Sequence, residues 1–113
     1  MAALSFGVEC LIYRMRIYRA APEHLHLFNQ FFNERLLPVQ LRYGARLVGR
    51  WQTADSRIFA VWEYDSEEDY ERIQECVRAD SDAIAAQIYK REELPNMVLE
   101  KEEVFMTSTV VGG

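Results

Sequence analysis

Cysteine is almost missing from this chain: Cys10 and Cys76 are the only two in 113 residues, far apart and without a CxxC pair. That count argues against a disulfide framework and for free thiols in a reducing compartment. Histidine is equally scarce. His24 and His26 stand two apart in a predicted helix and so point in different directions, whereas a metal pair needs a spacing of three or four. Two solvated histidines and no metal are expected. No apolar run approaches the roughly 20 residues that cross a bilayer. Met1 to Ile12 is mildly apolar but carries Glu9 and lacks a basic start, a poor match to a secretory signal. The expected location is the cytoplasm, with no membrane partner. A basic excess is lacking too: the net charge is −5 and the pI is near 5.0, which argues against a nucleic-acid partner. There is no Gly-rich phosphate loop, GxSxG elbow or HExxH pair. The acidic run Glu63 to Glu71 has no glycine for a calcium loop and reads as a helix cap with a solvated face.

What remains is an ordinary globular composition, 50% hydrophobic and 27% charged, of a length that suits one domain over residues 1–113 with its core at about 12–106. So small a domain buries only part of its surface, which favours covering any spare apolar face with a second copy. IYRMRIYR, from Ile12 to Arg19, alternates as a strand, with Tyr13, Met15 and Ile17 on one face and Arg14, Arg16 and Tyr18 on the other. Pro22 and Glu23 then open a helix whose stripe is Leu25, Phe28, Phe32, Leu36 and Val39, widened by Leu27 and Phe31. Pro38 should kink or shorten its last turns, and Gly44 marks the exit. Strands are predicted at Ala45–Gln52 and Arg57–Tyr64, joined by a hairpin turn at Thr53 to Ser56. Ser66 or Asp65 caps a second helix with Tyr70, Ile73, Val77, Ile84 and Ile88 on its stripe, either continuous or broken near Asp80 to Asp82. Pro95 ends it, and a last, partly solvated or edge strand runs from Met97 to Met106 before a loose tail. The order is βαββαβ, a ferredoxin-like α+β domain with a four-stranded antiparallel sheet. Two helices cover one face of such a sheet, and the other face needs another layer.

Tyr13 to Tyr18, Leu36-Leu37-Pro38, Gly44 to Trp51, Val61 to Ser66 and Arg78-Ala79-Asp80 together resemble the NIPSNAP pattern over roughly Tyr13 to Phe105. The resemblance implies a dimeric α+β barrel, hence a homodimer, a fold shared with cofactor-independent monooxygenases and haem-degrading monooxygenases. The family lends no catalytic residues. The haem-degrading relatives of the fold use a histidine on the second helix, and Ser66 to Arg91 contains none. Haem is disfavoured unless Tyr70 or Tyr89 takes that place, and no cofactor is expected.

Two sets of residues are candidates for a site. Arg16 and Tyr18, with Arg14 beside them, form a polar row that could line a pocket, Arg16 holding an anionic or enolic oxygen. The competing structural reading, set slightly ahead, pairs Arg16 with an acid such as Glu63 on a neighbouring strand. Trp51 and Trp62, with Tyr64, Phe28, Phe31 and Phe32, offer walls for a flat apolar ligand, although aromatic stripes are more often core. Gly49 between the tryptophans relieves crowding or marks a bulge. Cys76 reads as a packing residue. Two functions fit: a binding module for a small apolar or aromatic molecule or a protein partner, or a cofactor-independent monooxygenase or isomerase on an aromatic or enolic substrate.

Overall fold

In the computed structural model, which describes residues 10–94 and 96–110, the first strand β1 (Ile12–Ala20) lies inside the sheet. The expectations for residues 1–9, Pro95 and 111–113 fall outside the described residues. β2 (Arg46–Gln52), β3 (Arg57–Tyr64) and β4 (Val98–Met106) complete four antiparallel strands in the order β2-β3-β1-β4. This is the ferredoxin-like arrangement predicted from element order. β4 is an edge strand, and its solvated residues Glu100 to Glu103 suit that place. Among the described residues no helix is long and apolar enough to cross a membrane.

Alternation along β3 is complete: Ile58, Ala60, Trp62 and Tyr64 are buried beneath the helices, and the residues between them face the other way. Register carries the same division to β1, where Arg14 lies opposite Trp62, Arg16 opposite Ala60 and Tyr18 opposite Ile58. The polar row therefore faces the helices.

The chain between Pro22 and Arg42 forms a helical arm in four pieces. A 3₁₀ turn (Pro22–His24) leads into α1 (Leu25–Phe31), a π-helical turn (Phe32–Leu36) follows, and α2 (Leu37–Arg42) ends it. The Leu37 N–H donates to the Phe32 carbonyl, five residues back. Pro38 has no N–H and its ring crowds the carbonyl of residue 34, so one widened turn absorbs the proline where a kink or early stop was predicted. Phe28, Phe31, Phe32 and Val39 are buried as the stripe predicts, but Leu27 is exposed.

α3 (Glu67–Ala79) starts where the Asp69 N–H donates to the Ser66 hydroxyl at 3.0 Å. The apolar stripe does not continue into α4 (Ser81–Glu93), because Asp80 is extended (ψ 132°) and breaks the helix. That break turns Ala83 and Ala86 inward and leaves Ile84 and Ile88 exposed, against the continuous stripe. Asp80 is itself buried. Its carboxylate accepts from the Tyr43 hydroxyl and Arg42 Nη1, both at 2.6 Å, and from the N–H groups of Asp82 (2.8 Å) and Ala83 (3.1 Å). One side chain thus caps α4 and fastens it to the end of α2.

Those bonds, the Tyr43 hydroxyl foremost, hold the Asp80 carboxyl at about 2 against an ordinary 3.8. A depressed carboxyl pKa stabilises the fold above the unfolded-state value and stops doing so as the group protonates. The wild-type melting temperature is expected to fall as pH drops from about 4 to about 2. Asp80→Ala should melt roughly 5 °C or more below wild type at neutral pH and show a shallower decline in that acid window, by circular dichroism.

Candidate functional site

The core under the helices divides into two clusters, one of Ala20, Phe28, Phe31, Ile58, Ala86 and Met97, the other of Phe32, Ala45, Trp62, Tyr64 and Ile73. Members of both line a cavity of about 780 Å³ between sheet and helices. Its volume falls within the range that holds a small organic molecule. Ala60, the smallest residue on the helix side of β3, forms part of its wall beside Trp62, with Phe28, Phe31 and Phe32 supplied by the helical arm. Arg14, Arg16 and Tyr18 enter from β1 and Lys101 from β4, directly opposite Tyr18 in the pairing. Arg35, Lys90 and Arg91 come from the helices.

The sheet explains how the row is held. Arg14 is buried and pairs with Glu103 of β4, while its other side meets the Tyr64 hydroxyl without a well-formed hydrogen bond. Glu103 stands opposite Arg16 in the pairing but lies 3.8 Å from Arg16 Nε, and that buried N–H has no hydrogen-bond partner among the described residues. The acid that stands beside Arg16 on a neighbouring strand is therefore Glu103, not Glu63, the example expected from sequence. Glu63 points to the opposite face, where it accepts from the Tyr13 hydroxyl and Arg46 Nε, both at 2.7 Å. Tyr18 packs edge-on against Phe28 at 5.4 Å with the Arg16 guanidinium 5.1 Å from its ring centroid. Burial pushes the Tyr18 hydroxyl up against the pull of the nearby arginines, so at neutral pH it keeps its proton and can donate.

Of the four candidates read from sequence, Arg16, Tyr18 and Trp62 line this cavity and Trp51 does not. The reason is a bulge: Leu47 lies opposite Trp62 and Gly49 opposite Val61, so Val48 is an extra residue in β2. One inserted residue reverses the faces that follow it. Trp51 is thereby turned to the outer face, 55% exposed, with its ring lying where a Cβ on Gly49 would be. Both sequence readings of Gly49, bulge and relief of crowding, hold at once.

The same reversal brings Arg50 inward, which sequence alternation hides. Its guanidinium lies 4.2 Å from the Phe32 ring centroid and 5.2 Å from that of Phe28. Nη1 donates to Asn29 Oδ1 at 2.7 Å, while Nε and Nη2 are buried without partners among the described residues. Burial lowers its pKa to about 10. A charge so placed costs stability that two aromatic faces and one amide offset only in part. Arg50→Met is expected to raise the melting temperature by a few degrees, read in a thermal denaturation scan.

The other candidates stay apart from the cavity. Cys10 is exposed and Cys76 partly buried on α3, both free. His26 is exposed, but His24 has a buried Nδ1 without a partner, so it is not the fully solvated histidine expected. Among the described residues no three His, Cys, Asp or Glu side chains are grouped to hold a metal.

The sequence model of the NIPSNAP family matches residues 13–110, from the start of the polar row to beyond the end of β4. The chain belongs to the NIPSNAP family. No curated protein matches this NIPSNAP domain. Solved structures do, and they agree on the fold. An uncharacterized NIPSNAP-like domain protein from Burkholderia xenovorans is 20% identical, covers 93% of this chain and 90% of its own, and has a TM-score of 0.77. A dimeric ferredoxin-like protein from an uncultured marine organism is 20% identical with 90% of each chain covered and a TM-score of 0.66. A candidate antibiotic biosynthesis monooxygenase from Nitrosomonas europaea is 13% identical, covers 97% of the NIPSNAP domain and all of its own chain, and has a TM-score of 0.67.

Proposed function

We propose that this NIPSNAP domain is a cytoplasmic homodimeric binding module that holds a small molecule with an aromatic or apolar body between its sheet and its helices. The observation that carries the reading is the aromatic-walled cavity of about 780 Å³ with Arg16, whose buried Nε has no partner among the described residues, in its lining. A purely structural Arg16 would have its buried donors satisfied. Binding is favoured over the monooxygenase or isomerase alternative by the lining itself. Among its described residues there is no His, Cys or Asp, and the single carboxylate, Glu100, lies 3.8 Å from Arg19. The lining thus offers no imidazole and no unpaired carboxylate to act as a base.

The dimer rests on the other face of the sheet. Met15, Ile17, Phe59, Val61, Trp51 and Val104 make it apolar, and the pairs Arg19–Glu100 and Arg46–Glu63 lie at its rim. An apolar centre inside a charged rim is the pattern of a protein interface. The dimeric marine protein of like fold supports the same assembly.

A thermal-shift screen of small aromatic and apolar compounds tests the binding reading. A ligand at a hundred times its Kd should stabilise the fold by about 2.7 kcal/mol, and Ala60→Leu, which intrudes into the cavity, should abolish that gain. A panel in which nothing stabilises the wild type would remove the reading. The enzymatic alternative predicts oxygen uptake or isomerisation of an enolic substrate that Arg16→Met abolishes; activity that survives the substitution would exclude that role for Arg16.

A further inference from the structure

The chain is acidic, yet its cavity is not. Six of its 13 basic side chains line the cavity, Arg14, Arg16, Arg35, Lys90, Arg91 and Lys101, against one of its 18 carboxylates. Lys90 and Lys101 are also the only lysines in the sequence, so both lysines of the protein are committed to one site. Elsewhere basic residues stand beside acids, as at Arg42, Arg46 and Arg57, each within 4.0 Å of a carboxylate. Neither lysine has a carboxylate at that distance among the described residues. Glu103, the nearest acid to the row, is engaged by Arg14.

These cations act on one another. Burial lowers the Lys90 ammonium, and Lys101 and Arg16, which line the same cavity, lower it further. An anion between them relieves that repulsion and accepts from the two ammonium groups and the Arg16 guanidinium. The protonated Tyr18 hydroxyl opposite Lys101 adds a neutral donor. The aromatic walls, Phe28, Phe31, Phe32 and Trp62, suit a flat unsaturated body.

We infer that the cavity selects a planar organic carboxylate, its anionic end on Arg16, Lys90 and Lys101 and its ring system against Phe28 and Trp62. This rests on the binding reading above and names the chemical class of the ligand. The cations supply discrimination, because a neutral isostere leaves the same donors unpaired and the same charges in repulsion.

The presence of only two lysines provides the measurement. In the 113-residue chain with isotope-labelled lysine, NMR gives two side-chain signals, assigned with Lys90→Arg and Lys101→Arg. Titration with naphthoate should move both signals to saturation, with an affinity about tenfold or more above that of naphthamide. Lys90→Gln and Lys101→Gln should each weaken naphthoate about five- to tenfold, and the arginine variants should retain it. Equal affinity for naphthamide and naphthoate would overturn the inference while leaving the cavity as a binding site. Inorganic phosphate binding as tightly as naphthoate would overturn it differently, by making the aromatic walls idle. Lysine signals that ignore both naphthalene compounds would overturn it outright, and a silent thermal-shift panel beside them would take the binding reading with it.

Discussion

Ile17→Glu is expected to turn the protein into a monomer, lowering its mass by light scattering from twice 13.3 kDa to 13.3 kDa. Ile17 lies on the apolar outer face, opposite Phe59 on one side and Glu102 on the other. In a two-fold interface every substitution occurs twice, so the change buries two carboxylates where none has a partner. Each unpaired buried charge costs several kcal/mol, more than a rim of exposed ion pairs can return. The wild-type melting temperature should also rise with protein concentration, and that of the variant should not. A wild type that is monomeric at all concentrations would remove the barrel assembly from the proposal.

Trp62→Ala is expected to have the largest effect on the fold, about 3–5 kcal/mol, and to leave the dimer mass unchanged. Trp62 is 5% exposed, packs 6.0 Å from Phe32 between ring centroids, and faces Arg14 and Leu47 across its two neighbouring strands. Removing it enlarges a cavity that is already open, so little can collapse to fill the space. A melting temperature lower by roughly 15 °C is the expected reading. Dissociation of Trp62→Ala at a temperature where it is still folded would show that the two sheet faces are coupled, and would undo the separation of binding site from interface.

Much of this arrangement is legible without coordinates. The alternation of Tyr13 to Tyr18 places Arg16 and Tyr18 on one face together, and β1 keeps that division along its length. Ser66 before three acids fixes the start of α3. Cues of this kind are local: they depend on side-chain period and on capping bonds within a few residues. The errors arise where one residue alters the phase. Val48 inserts into β2 and exchanges the faces of Arg50 and Trp51, so the sequence nominates Trp51 for the cavity and overlooks Arg50. The break at Asp80, one of the two forms read from the sequence, exposes Ile84 and Ile88, which the apolar stripe read from the sequence wrongly includes. Pro38 is accommodated by a π turn that no periodicity announces.

Lys90 and Lys101 show the same limit at the site. Each is ordinary in its own segment, one in the last turn of α4 and the other in a charged edge strand, and ten residues of sequence lie between them. By itself the sequence determined the order of elements, the ferredoxin-like class, the family and the row of Arg14, Arg16 and Tyr18, because these follow from period, capping and local pattern. Only the tertiary structure decided which face that row shares with the helices, which acid leaves Arg16 unsatisfied, and that both lysines meet it around one cavity. Those facts depend on strand register and on how α4 packs against the sheet, which contacts distant in sequence set.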